Sequence, residues 1–434
     1  MFGFENSGAE SYTLLSKNVA LPYGYSFAEL NSNVLVFDRT GKSNVEGKIT
    51  SDAIEHFLVP NILSANTHMV IADPSGALCA ATKDELKNNG YDVKVFDFCH
   101  PDLKLAFNPF HIWDNETIRL FAECLAKEES PSDQFFSRGL LEYLQIIMLL
   151  VLRHAPNKYH TLSGVYEFIQ MTSKNGCNPN DSLRYILYGK EDVPNFHNET
   201  VKNFLKLWKN TNSRFGPVSE NPDGKSLDEL GWSKDIIERS RLILGISKSV
   251  GNRAFNICAS YIFRPFVISP VKEMFEKYVF DLKEFRNPGR IALFITGYSE
   301  NSSFAGLTKY LISWIYHATT KSEAPVRFFF DDFESLGFFS EFDDLVMGCG
   351  RETDPAFCVV AKDYDSLKKI YGGLFSGVFL YFHSVLFLNG SESDFEYICA
   401  KKCDRSSKPK FSDVSSDECL VAIDERPPLI DKKL

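Results

Sequence analysis

Apolar residues fall along this chain in two rhythms, and the change between them divides it. Short unbroken runs occur at Val34–Phe37, Met69–Ala72 and Val93–Phe96, and again at Ile291–Ile295, Val326–Phe330, Phe357–Ala361 and Val385–Leu388. Unbroken runs, rather than alternation, predict strands covered on both faces and so a parallel sheet. Helical patterns lie between them. "TSDAIEHFLVPNIL" offers Ser51 or Asp52 as a cap, places Ile54, Phe57 and Leu58 on one face, and is expected to end or kink at Pro60. "TKDELKNNG" reads as a helix closed by Gly90.

From about 114 to 244 the rhythm is helix and loop. Ile118, Phe121 and Leu125 recur at helical spacing, and "FFSRGLLEYLQIIMLLVLRHA" is long and apolar enough for a buried helix. Loops rich in Asn, Pro and Gly separate such segments. The predicted organisation is an N-terminal segment (1–30), an α/β core in two parts (31–113 and 245–402), an all-helical inserted domain (114–244) and a polar tail (403–434) expected to be disordered.

The chain has 434 residues, 44% of them hydrophobic, enough for one large core or two to three smaller ones. With 47 basic against 57 acidic residues the formal charge is −10, which excludes a broadly basic nucleic-acid surface but not a local channel. Ten scattered cysteines point to a reducing compartment. Cys399 and Cys403, with Cys419 further on, lack the second pair of a zinc site, so buried thiols are the favoured reading. Met1–Glu10 has no signal-peptide core, and the longest apolar run, Leu144–Leu152, contains Gln145 and is about half a membrane span. The chain as given reads as soluble and cytoplasmic.

Candidate chemistry begins at "NVLVFDRTGKSNVEGKIT", where a strand runs into Gly41-Lys42-Ser43. A phosphate loop uses glycines for close backbone approach, a lysine for the β/γ oxygens and a hydroxyl for Mg²⁺. Thr40, Gly41, Lys42, Ser43, Gly47 and Lys48 are the candidate nucleotide-binding residues. Each alignment fails somewhere. Ending on Gly41-Lys42-Ser43 puts Val36 at the first glycine. Starting from Asp38 puts Ser43, Asn44 and Val45 at the Gly, Lys and hydroxyl positions. Pairing Gly41 with Gly47-Lys48 gives five spacers and Ile49 for the hydroxyl residue, with Thr50 one residue late. Asp38 also brings negative charge to the place phosphates would dock. On spacing, a turn without nucleotide leads.

The strand "VRFFF" ends in Asp331-Asp332, as a metal–nucleotide site would require: Asp331 to orient Mg²⁺ with Ser43 or Thr50, Asp332 to polarise water. The competing reading makes Asp332 a helix cap and Asp331 a partner for loop N–H groups. Both stay open. Arg351, in "GCGRETD", is either solvated or reaches a neighbouring subunit's γ-phosphate.

Taken together these segments resemble the type IV secretion coupling proteins, the TraG/TraD-type conjugative DNA-transfer ATPases. "NSNVLVFDRTG" is similar to the strand before that family's phosphate loop, and "VPNIL" with "HMVIADPSGAL" to its next helix end and strand end. "FNPF", "FFFDDFESLGFFSEFDDLV" and "HSVLFLNGSESDFEYI" match further motifs in order, so that about 31–400 is covered, and "RPPLI" beyond it is similar to a segment that often ends such chains. The resemblance implies a RecA-like P-loop NTPase core with an inserted helical domain, ATP and Mg²⁺ as cofactors, and hexameric rings at the inner face of the membrane. It also implies relaxase–DNA complexes and type IV secretion components as partners. The chain begins about where that family's membrane helices would end.

Departures cluster at the implied catalytic centre. The phosphate loop lacks its glycine pattern and carries an insertion before Pro60. Ser75 and Ala77 replace a lysine and a glutamate, Asp332 the catalytic glutamate, and Lys362 a glutamine. Retained scaffold with altered chemistry favours a degenerate coupling-protein homologue, acting as partner or substrate adaptor beside a paralogous ATPase in a mixed ring. The alternatives are an active DNA-dependent ATPase with an atypical loop, and a protein-docking module working through the helical domain.

Overall fold

In the computed structural model the described residues are 12–22, 31–39, 43–45, 48–126, 134–188, 197–209, 234–246, 251–298, 303–320, 326–349, 355–403, 409–424 and 426–434. They form two compact units, Met1–His100 with Asp281–Leu434, and Pro101–Phe280. The second unit starts before and ends after the 114–244 insertion read from the sequence.

The first unit contains strands β1 (Tyr12–Ser16), β2 (Val19–Pro22), β3 (Val34–Asp38), β4 (Ser43–Val45), β5 (Lys48–Thr50), β6 (His68–Asp73), β7 (Asp92–Asp97), β8 (Ile291–Thr296), β9 (Val326–Phe330), β10 (Ala356–Ala361), β11 (Ser384–Asn389), β12 (Glu418–Ile423) and β13 (Leu429–Lys432). Nine of them make one sheet in the order β13-β12-β11-β3-β10-β9-β6-β8-β7. The seven strands from β11 to β7 are parallel, and all seven were anticipated from their apolar runs. Every residue of β3, β6, β8, β9 and β10 is buried, as strands covered on both faces should be.

The two faces are filled differently. One is largely aliphatic: Val34, Val36, Met69 and Ile71 pack with Ile54, Phe57 and Ile62 from the first helix and Leu78 and Leu86 from helix Ala77–Asn88. The other is aromatic, with Phe328, Phe330 and Phe357 against Phe342 and Tyr316. Arg327, on the aliphatic side of β9, is buried. Its guanidinium lies over Phe329 and donates to Thr13 Oγ1 at 2.9 Å, fixing the β1–β2 hairpin to the sheet.

One expectation is narrowed and another needs correction. Of the two outcomes expected at Pro60, an end or a kink, the helix does not end there. A π-helical turn, Ile54–Leu58, runs directly into helix Val59–Ser64, with Val59 N–H donating five residues back to Ile54 O. Widening the turn ahead of Pro60 accommodates a residue that has no N–H and whose ring would clash with a normal turn. Nor is the described part of the C-terminal region a disordered tail, since β12 and β13 extend the sheet antiparallel beyond β11. Their core, Cys419–Ile423, is buried.

The second unit is helical. Helix Gln134–His154 runs through its middle, with Tyr143, Leu144 and Ile146–Val151 all buried. It packs against helices Asn115–Leu125, Leu162–Thr172, Lys234–Ile246 and Gly251–Phe263. Asn256 anchors this interior, its Nδ2 donating to Tyr143 Oη, Thr172 Oγ1 and Ile169 O. Gly139 has no room for a side chain, because an added Cβ would stand 2.3 Å from the Phe255 ring. No helix among the described residues is long and apolar enough to cross a membrane.

Candidate functional site at the carboxyl edge of the sheet

β3 and β10 are neighbours whose onward connections leave in opposite directions, β3's towards β6 and β10's towards β11. Ligands of open α/β sheets bind at such a switch point, outside the carboxyl ends of the strands. The turns following β3, β6, β9, β10 and β11 all emerge on this edge, bringing Asp38, Asp73, Asp331, Lys362 and Asn389 to it.

At the β3 corner the chain turns from strand to helix, the place where helix amides would face a phosphate. Ser51 caps the helix: its Oγ accepts Ile54 N–H at 3.3 Å and its carbonyl accepts Glu55 N–H at 3.0 Å. Asp38 is buried, and its Oδ2 accepts Ala53 N–H at 2.7 Å. A carboxylate of the chain itself thus occupies a helix-terminal donor. A phosphate within about 4 Å of it would meet a repulsion on the order of 4 kcal/mol per unit charge at an effective dielectric constant of about 20. Attraction to a helix terminus returns only about 0.3–2 kcal/mol. The Asp38 carboxylate by itself therefore opposes a phosphate more strongly than the helix terminus attracts one.

The candidate loop residues are distributed accordingly. Ser43 and Thr50 are opposite partners in the β4–β5 hairpin, and Lys48 pairs with Val45. The insertion noted in the sequence contains this hairpin. Thr50 Oγ1 donates to Glu55 Oε1 at 2.5 Å. Arg39, directly after β3, pairs with Asp363 at 3.1 Å and reaches Asp394 at 3.9 Å. Burial would raise the Asp363 carboxyl, but hydrogen bonds from Ser366 and the Arg39 guanidinium outweigh it and hold it below the ordinary carboxylate value. Thr40, Gly41, Lys42, Gly47 and Arg351 lie outside the described residues.

The β9 corner is built differently. Asp331 is buried, and its N–H donates to Ala72 O at 3.0 Å, so the ends of β9 and β6 are locked together. Asp332 adopts a left-handed backbone, φ 58° and ψ 63°, among the described residues the one non-glycine at positive φ. It precedes the short helix Phe333–Leu336 but makes no side-chain cap bond, so the capping alternative is not realised. That conformation costs roughly 1–2 kcal/mol for a residue with a Cβ. Asp73, fully buried at the end of β6, accepts Cys79 N–H at 2.8 Å, and Ser75 Oγ donates to it at 3.5 Å. Tyr298 is buried nearby. Burial drives its hydroxyl well above the usual tyrosine value, with Asp331, Asp73 and Asp332 adding to the shift.

Glu334, two residues beyond Asp332, was not singled out from the sequence. Its Oε1 accepts Lys362 N–H at 2.8 Å, while its Oε2 is shut off from solvent with no hydrogen-bond partner. Burial first, then Asp332 and Asp363, raises its carboxyl to about 7. The signal in the sequence was a third acid, "DDFE", in a turn where two had already been noted.

Comparison with known proteins agrees with the fold. Residues 55–218 match the family model described as type IV secretory system conjugative DNA transfer. No curated protein matches the chain. Among solved structures, the plasmid coupling protein TrwB in complex with ADP and Mg²⁺ covers 99% of this chain and 90% of its own, at 13% identity and a TM-score of 0.57. TrwB with a non-hydrolysable ATP analogue gives a TM-score of 0.59 at 12% identity, with the same coverage. VirB4 of Thermoanaerobacter pseudethanolicus gives 0.52 at 10% identity, covering 99% of this chain and 97% of its own. At these identities the likeness to the solved structures is one of fold, and the family model bears on residues 55–218. The chain thus resembles the conjugative coupling proteins in fold, and its residues 55–218 match the type IV secretory system conjugative DNA-transfer model.

Proposed function

We propose that this chain serves conjugative DNA transfer as a partner or substrate adaptor whose own nucleotide site is closed. The observation that carries this reading is the Asp38 carboxylate seated on Ala53 N–H at the helix start. The β4–β5 hairpin supports it, because the backbone at Ser43, Lys48 and Thr50 runs in paired strands rather than in a loop wrapped on a helix start, and the Thr50 hydroxyl is bonded to Glu55. The working nucleotide site, of the kind that holds ADP and Mg²⁺ in TrwB, is then provided by a paralogous coupling ATPase in a mixed hexamer. The chain works at the cytoplasmic face of the membrane with the relaxase–DNA complex or other secretion components. Purified protein is expected to hydrolyse ATP at no more than background, with or without DNA. Hydrolysis stimulated by DNA would overturn the proposal.

The ATPase alternative draws on the β9 corner, where Asp331 is buried at the strand end and Asp332 is held in a strained conformation of the kind that gathers at active sites. In that reading Lys42 or Lys48 contacts phosphate, Ser43 or Thr50 holds Mg²⁺ with Asp331, Asp332 activates water and Arg351 acts on the neighbouring subunit. Alanine at both lysines leaving a measured activity intact would remove it. The docking-module reading draws on the helical unit, which holds a polar cavity of about 630 Å³ bordered by His111, Lys158, His160, Glu167 and Glu276. It fails if deletion of that unit leaves partner capture unchanged.

A further inference from the structure

We propose that Glu334 is a proton-operated tie between the turn after β9 and the end of β10, made by its ionised carboxylate and slackened when the carboxyl binds a proton. The geometry is a relay across three strand ends. Glu334 Oε1 accepts the N–H of Lys362, the residue following β10. The next residue, Asp363, is paired at 3.1 Å with Arg39, the residue following β3. One carboxylate therefore joins the β9 turn to a chain of contacts that reaches the β3 loop.

Opposing forces act on it. Ionised, Glu334 makes a charge-assisted bond to Lys362 N–H, about twice as strong as a neutral acceptor would make. Against ionisation stand its burial and the charges that face it, Asp332 on its own turn and Asp363 from the β10 end. Tyr371, buried on helix Tyr364–Tyr371, faces it as a neutral phenol, and the exposed Lys362 side chain belongs to the residue that donates the bond. These pulls place the change in proton occupancy near neutral pH, so a modest pH change remakes or relaxes the tie. The inference concerns the chain's own strand ends and holds whether or not nucleotide binds.

Selective ¹⁵N-lysine labelling follows the Lys362 amide directly. Its proton resonance is expected to move downfield as pH rises from about 5 to 9, with a midpoint near 7, and to stay flat in Glu334→Gln. A Lys362 amide that is flat in the wild type, or that titrates unchanged in Glu334→Gln, would overturn the proposal. Should Glu334→Gln fail to fold, Asp332→Asn provides the second test. Removing a repelling charge must lower the wild-type midpoint, and an unmoved midpoint contradicts the relay.

Discussion

At the end of β3 a carboxylate is satisfied: Asp38 accepts Ala53 N–H, and the neighbouring Arg39 is paired with Asp363. At the end of β9 the carboxylates are held under tension. Asp331 is buried, Asp332 sits at positive φ, and Glu334 binds its proton near neutral pH. Both corners belong to one sheet edge and are supported by equally buried strands, yet the carboxylate is satisfied at one and held at a cost at the other. In the reading proposed above, the β3 corner is the one closed to phosphate, whereas the β9 corner keeps the acids that a metal or water would need.

Several substitutions separate the corners. The largest effect is expected at Glu334. Its carboxyl is raised in the folded state from an ordinary 4.5 to about 7. Its stabilising contribution is therefore complete below pH 4.5 and is lost as pH rises through 7. Glu334→Gln should be more stable than wild type at pH 8 by on the order of 3 kcal/mol and indistinguishable from it near pH 4.5. Urea unfolding of the sheet unit at both pH values checks this, and equal stability at pH 8 would show the β9 corner to be relaxed.

Asp38→Ala comes next. It removes a cap-like acceptor and should cost about 1–2 kcal/mol, whereas Asp38→Asn, which keeps an acceptor, should cost less. Thermal unfolding of the pair distinguishes them. Asp332→Gly relieves the left-handed backbone and should gain about 1 kcal/mol or less, because glycine also adds freedom to the unfolded chain. A loss instead would mean that the Asp332 side chain has an indispensable partner. The smallest effect belongs to Lys433→Met. Lys433 Nζ meets Asp52 Oδ2 at 2.6 Å beside the β3 corner, a pair worth roughly 0.5–1 kcal/mol and measurable as a small drop in melting temperature.

The scaffold was legible because strands buried on both faces must be written as unbroken apolar runs. Val34–Phe37 and Val326–Phe330 could hardly have been anything else. The β12 run, Cys419–Ile423, carries the same signal, but its polar flanks have the composition of a disordered tail. Whether Pro60 ends its helix or only deforms it depends on how the preceding turn can widen, and spacing does not record that. The site was legible only in part. Asp331 and Asp332 stand at a strand end, which periodicity locates. The roles of Asp38 and Glu334 depend on N–H groups at positions 53 and 362, in other elements, and long-range partners leave no periodic trace.

The central claim is that the helix start after β3 does not accept a phosphate. Calorimetric titration of the purified chain with Mg²⁺ and a non-hydrolysable ATP analogue tests it most directly, with Lys42→Ala and Lys48→Ala as controls. The account predicts no binding heat up to about millimolar nucleotide, where the affinity would already be only about −4 kcal/mol. Micromolar binding abolished by either lysine substitution would contradict it and identify a working phosphate loop.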